Sequence, residues 1–206
     1  MLSQSVASEL REAISAGEFQ PGEQLSEVKA AERFNCSRNT LRESFTRLAA
    51  ERIVERIPNR GVFLATPDAD YIRDLFAARA AIEPAAVRWG AFADAPSLVT
   101  LTSSAFDYAA RGEHQEVSAI NQRFHRTLVA ALGSPTLNEQ MDNLLARMRL
   151  TFLLAIPRYP QLHADHIQGN ITLATLIADG KRQEAATLSH DSLMNTCEKI
   201  LAVLDD

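Results

Sequence analysis

The sequence predicts a mainly α-helical chain in two parts: three helices closed by a small β-hairpin, then an antiparallel bundle made of helices alone. Three observations carry this. Apolar residues recur at helical spacing from Val6 to Ala49. β-prone residues then crowd around Pro58-Asn59-Arg60-Gly61. Beyond Thr66-Pro67-Asp68 the pattern is helical again, with no strand-like alternation.

Val6, Leu10 and Ile14 form one apolar face, ended by Gly17, and Pro21-Gly22 turns the chain. Ser26 is a good N-cap for a short helix from about Glu27 to Phe34, with Ala30, Ala31 and Phe34 inward. Asn35 is expected at positive φ, which asparagine tolerates better than most residues. Ser37 caps a third helix. Its buried stripe is Leu41, Phe45, Leu48 and Ala49, which leaves Arg38, Asn39, Arg42 and Arg47 near the outer face. Ile53, Val54, Ile57, Val62, Phe63 and Leu64 then predict a two-stranded hairpin. This order fits a winged helix-turn-helix over residues 1–66.

Residues 67–206 read as six helices: Tyr71 to about Phe92, Leu98–Ala110, Val117–Leu132, Thr136–Ile156, Asp165–Ile177 and Arg182–Leu204. Pro84 is expected to kink the first. In the last, Ala186, His190, Leu193, Cys197, Ile200 and Leu204 are spaced as a packing seam.

Composition narrows the function classes. The chain has enough apolar residues for packed cores, and no run approaches the roughly 20 apolar residues of a membrane span. The N-terminus lacks the basic start and apolar core of a signal peptide, so a cytoplasmic location and no membrane partner are expected. Cys36 and Cys197 are expected as buried thiols rather than a disulfide. The net charge of -5 argues against a polyanion partner only if taken globally. Arginine recurs at 33, 38, 42, 47, 52, 56 and 60, so the basic surface is local. A helix that starts at a capping hydroxyl and carries arginines on its first turns can enter the major groove of DNA.

The first part resembles the DNA-binding domain of the GntR family of bacterial transcription regulators. The matching stretches are Leu10-Arg11-Glu12-Ala13-Ile14, Pro21-Gly22-Glu23-Gln24-Leu25-Ser26-Glu27, Ser37-Arg38-Asn39-Thr40-Leu41-Arg42-Glu43 and Asn59-Arg60-Gly61-Val62-Phe63. The remainder, with Arg79-Ala80-Ala81-Ile82-Glu83-Pro84 and Asn121-Gln122-Arg123-Phe124-His125-Arg126-Thr127-Leu128, resembles the FCD-type effector domain of the FadR subfamily. The resemblance implies a homodimer on a palindromic operator, with a metabolite in the helical domain setting DNA affinity. It places operator contacts at Ser37, Arg38, Asn39, Thr40, Arg42, Arg47, Arg60 and Gly61. Departures are Val28 for a basic residue, and Asn35 and Arg52 for two glycines.

Many members of the subfamily hold a divalent metal with an acid and three histidines. Those positions fall here on Asn121, His125, Asn170 and Ser192, so one ligand of four remains. The expectation is a cavity with no required metal, in which these residues and Arg79 bind a small organic acid directly. A displaced metal site from His125, His166 and His190 is the alternative. The expected function is a ligand-controlled transcription regulator, expected to be a repressor. The rivals are a helical-domain enzyme with a vestigial DNA-binding part, or a helical dimerisation module that binds DNA constitutively. No His-Glu-x-x-His run, nucleophile elbow or phosphate-binding glycine loop supports an enzyme.

Overall fold

A computed structural model describes residues 2–205. They fold as α1 (Leu2–Ala16), β1 (Gln24–Leu25), α2 (Glu27–Arg33), α3 (Arg38–Ala50), β2 (Val54–Ile57), β3 (Gly61–Leu64), α4 (Ala69–Trp89), α5 (Ala95–Ala110), α6 (His114–Ala130), α7 (Pro135–Ala155), α8 (Leu162–Ala178) and α9 (Arg182–Asp205). Residue contacts group the chain into two compact units. One is Met1–Asp68 with Leu145–Leu154 of α7; the other is Ala69–Leu144 with Ala155–Asp206.

In the first unit, α3 packs on α1 and α2. Leu10, Ile14, Leu41, Phe45, Leu48 and Ile53 are fully buried. Ser26 caps α2 by accepting from the Lys29 amide, and Ser37 caps α3 by accepting from the Thr40 amide. Asn35 takes φ 45°, as the turn before α3 requires, and Arg52 takes φ 60° where α3 gives way to β2. The glycines of the family pattern are thus replaced by residues that still adopt the left-handed conformation. The expected hairpin gains a third strand. The antiparallel sheet has the order β1-β3-β2, with Gln24 opposite Phe63 and Leu25 opposite Val62. Two residues are too few to show a strand period, so only pairing reveals β1. Cys36 is half-buried rather than buried; Cys197 is buried, and both are free thiols.

In the second unit, α4 packs on α9, and α5 on α8 and α6. A core of Val87, Leu98, Phe124, Leu128, Leu173, Ala174, Ile177, Ala185 and Ala186 joins these helices. The α4 helix continues through Pro84. Arg182, at the start of α9, donates to the carbonyls of Val87 and Gly90 at 2.8 and 2.7 Å, and caps the end of α4. Of the seam expected on α9, Ala186, Leu193, Cys197 and Ile200 are buried, Leu204 is half-buried and His190 is exposed. The buried residues of α9 are Ala185, Ala186, Ser189, Leu193, Cys197 and Ile200, and His190 faces solvent. One residue is about 100° of helix rotation, enough to carry His190 off the buried face. Among the described residues, no helix is long and apolar enough to cross a membrane.

The Arg11–Glu51 pair ties α1 to the end of α3. Arg11 Nη2 lies 2.7 Å from Glu51 Oε2, and both side chains are largely buried. Removing one partner of such a pair strands the other charge. Glu51→Ala is expected to destabilise the folded chain by about 3 kcal/mol, measured by urea unfolding, and more than Glu51→Gln.

Candidate functional site

Each unit carries a polar constellation. In the first, the α3 N-terminus forms an exposed arginine face. Ser37 Oγ lies 2.8 Å from Thr40 Oγ1, so two hydroxyls sit together at the start of the helix. The cap uses the Thr40 amide. The other first-turn amides lack intrahelical partners and suit a phosphate oxygen. Arg38, Asn39, Arg42 and Arg47 are exposed along α3, and Arg60 and Gly61 are exposed at the β2–β3 turn. Gly61 has φ 110°, closed to ordinary side chains, so the backbone at this tip stays bare. Arg60 lies over the Phe63 ring, and its carbonyl accepts from Gln24 Nε2 at 2.7 Å.

Arg42 is held by α2. Its Nε is 3.1 Å from both carboxylate oxygens of Glu27, and its Nη2 is 2.9 Å from Glu27 Oε2. That hydrogen bonding, together with the charges of Arg42, Arg38 and Arg56, holds the Glu27 carboxyl below the usual carboxylate range. Arg56 of β2 donates to the Arg42 carbonyl at 2.7 Å. Glu51, a possible partner for Arg47 by spacing, is instead engaged by Arg11.

In the second unit, a cavity of about 110 Å³ lies among α4, α6, α8 and α9. Holding one water needs roughly 15 Å³, so this space suits several waters or one small organic molecule. Arg79 and His125 line it from α4 and α6. Both rest on Glu83, which is wholly buried: Arg79 Nε donates to Oε1 at 2.7 Å, and His125 Nδ1 lies 2.6 Å from Oε2. Burial pushes the Glu83 carboxyl up. The charges of Arg79 and His125 and their hydrogen bonds outweigh it, leaving the value at about 2. An ionised carboxylate only accepts, so His125 Nδ1 carries a proton toward Glu83.

From α8 the wall takes Leu162, Asp165, His166, Gly169, Asn170 and Leu173; from α9 it takes Ser189, Ser192, Leu193, Asn195, Thr196 and Lys199. His166 Nδ1 donates to the Leu162 carbonyl at 2.6 Å, and burial pushes this imidazole down to about 4, so it is neutral near pH 7. Tyr159, in the α7–α8 connection, donates to Asp165, whose Oδ2 also lies 3.3 Å from Lys199 Nζ.

Of the expected ligand-site residues, Arg79, His125, Asn170 and Ser192 line this cavity. Asn121 does not. It lines a neighbouring void of about 10 Å³, and its Oδ1 accepts from Asn170 Nδ2 at 2.7 Å. Its place is therefore behind Asn170, which it orients. The residues at the family's metal positions do not fit that metal: two amides bond to each other, and the third is a hydroxyl. Nor do His125, His166 and His190 come together, because exposed His190 places Nδ1 3.1 Å from Asp191 instead. Among the described residues, no group of three or more His, Cys, Asp or Glu side chains could hold a metal ion.

Sequence reasoning paired Glu83 with Arg79 at i, i+4 but missed its bond to His125, and of the polar wall of α9 it named only Ser192. The signal for the wall was present. Ser189, Ser192, Thr196 and Lys199 are spaced by three, four and three residues, one face of a helix. Tyr159 lies in a connection between helices and left no such period.

The first unit is thus a winged helix-turn-helix with an arginine face, and the second an all-helical domain around a polar cavity. Residues 2–64 match the family described as bacterial regulatory proteins, gntR family, and residues 74–194 match the FCD domain. The Nta operon transcriptional regulator of Aminobacter aminovorans is 26% identical over 189 residues, which cover 90% of this chain and 88% of that protein. The HTH-type transcriptional repressor GlaR of Escherichia coli (strain K12) is 28% identical over 197 residues, 88% of each. A solved structure of a putative GntR transcriptional regulator from Rhodococcus sp. RHA1 is 29% identical, covers 97% of each chain and superposes with a TM-score of 0.82. The chain belongs to the GntR family of bacterial regulatory proteins and carries an FCD domain. It is a DNA-binding transcription regulator and not an enzyme.

The Glu83 anchor has a pH signature. Its carboxyl titrates lower in the folded chain than unfolded, so its contribution to stability is fully present above about pH 5 and is lost as pH falls toward 2. That contribution is on the order of 3 kcal/mol. Glu83→Gln is expected to lower stability at pH 7 and to flatten its fall between pH 5 and 2, read by urea unfolding across that range.

Proposed function

We propose that this regulator is a member of the FadR subfamily, a cytoplasmic repressor that binds a palindromic operator as a homodimer. A small organic acid in the cavity of the second unit would change its operator affinity, with no metal required. The observation that carries this reading is the placing of Arg79 and His125 together on the cavity wall, both fixed by one buried carboxylate. A guanidinium and an imidazole nitrogen held in this way suit the carboxylate of a ligand. The hydroxyls and amides of Asn170, Ser189, Ser192, Asn195 and Thr196 suit polar groups on the rest of it. Repression is supported by a relative that is named a repressor.

On the DNA side, Ser37, Arg38, Asn39, Thr40 and Arg42 would enter the major groove. Arg47 would lie further along, with Arg60 and Gly61 of the wing against the backbone or minor groove. Genomic fragments retained by the purified protein would supply the operator. Arg42→Ala is expected to abolish retardation of those fragments while leaving the circular dichroism spectrum unchanged; undiminished retardation would refute this docking.

For the cavity, a panel of C3 to C6 hydroxy- and dicarboxylic acids is expected to contain a compound that raises the melting temperature and shifts operator affinity. Elemental analysis after dialysis is expected to find well under one transition metal per chain. About one zinc or nickel per chain would contradict direct binding.

A further inference from the structure

Glu27 is an acidic residue set inside a basic face. Its carboxylate accepts three short contacts from Arg42, and Arg38 and Arg56 also bear on it electrostatically. Opposite phosphate, a negative charge at this spot weakens attraction to any DNA. Nor does it do much for the fold. The Arg42 and Glu27 side chains are 59% and 35% exposed, and exposed ion pairs contribute little to stability.

The geometry gives the pair another use. An arginine alone on the outer face of a helix samples many rotamers and reaches any nearby phosphate. Here Nε and Nη2 of Arg42 are engaged by Glu27, and Arg56 fixes the backbone carbonyl of the same residue from β2. The guanidinium is thus turned to one orientation, which leaves the terminal hydrogens of Nη1 and Nη2 as one parallel fork. Reading guanine O6 and N7 needs such a fixed fork, whereas binding phosphate does not.

We propose that Glu27 is a positioning residue of the DNA interface, which aims Arg42 at a base edge and lowers affinity for arbitrary DNA, so that it raises sequence discrimination. The proposal rests on the DNA-binding reading of α3. The test uses the full chain. A duplex is selected from a random-sequence pool by the wild-type protein, and an unselected duplex of equal length is the reference.

Glu27→Gln keeps the shape and removes the charge. It is expected to bind the unselected duplex more tightly, and to lose about tenfold in the ratio of selected to unselected affinity. The loss should concentrate at one base pair, and the slope of log affinity against log salt should steepen by up to about one phosphate contact. Glu27→Asp, which keeps the charge, should recover part of the ratio. A merely structural role would lower the melting temperature and weaken both duplexes alike, which would overturn the proposal. So would an unchanged ratio in Glu27→Gln. A wild-type protein that selects no duplex would instead overturn the DNA-binding reading beneath it.

Discussion

The chemistry of the cavity in the second unit depends on a single wholly buried carboxylate. A charge without water is costly, and Glu83 is tolerated only because Arg79 and His125 each place a donor on it. The requirement runs both ways. The arginine Nε is drawn to one oxygen of the carboxylate and the imidazole Nδ1 to the other. Two helices, α4 and α6, are thereby registered against each other at the point where they line the same space. The face that Arg79 and His125 present to the cavity is set by a residue that does not itself line it.

In the first unit, acids and arginines meet at two levels of burial, with different consequences. Glu51 and Arg11 are largely withdrawn from water and join α1 to the end of α3, so their loss is a matter of folding. Glu27 and Arg42 remain half in water, where an ion pair adds little to stability but still restricts a side chain. The same chemistry serves cohesion in one place and orientation in the other, and burial separates them.

Much of the first unit was legible because its signals are local. A cap, an apolar period and a turn residue each act within about four positions, and Ser26, Ser37 and Asn35 behave as those rules require. β1 was not legible, since a two-residue strand exists only through its partner β3. The cavity was legible in part. Arg79, His125, Asn170 and Ser192 lie on its wall. Asn121 sits one layer back, and His190 is turned outward, because a helix face is decided by one residue of rotation and register alone does not fix it.

The sequence by itself determined the class of protein. The arginine-bearing helix after Ser37, the Pro-Gly and Ser-Glu signals before it, and the turn at Arg60-Gly61 lie within one short stretch, so their order and spacing are the information. It also determined that three of the four family metal positions hold an amide or a hydroxyl. Only the tertiary structure decided which side chains share a cavity, that Asn121 and Asn170 satisfy each other, and that Glu83 holds Arg79 and His125 together. Apart from Arg79 and Glu83, which lie one turn apart on α4, these contacts join residues about 40 to 50 positions apart on different helices. Hydrogen bonds and burial act through space, and no local period in the chain records them.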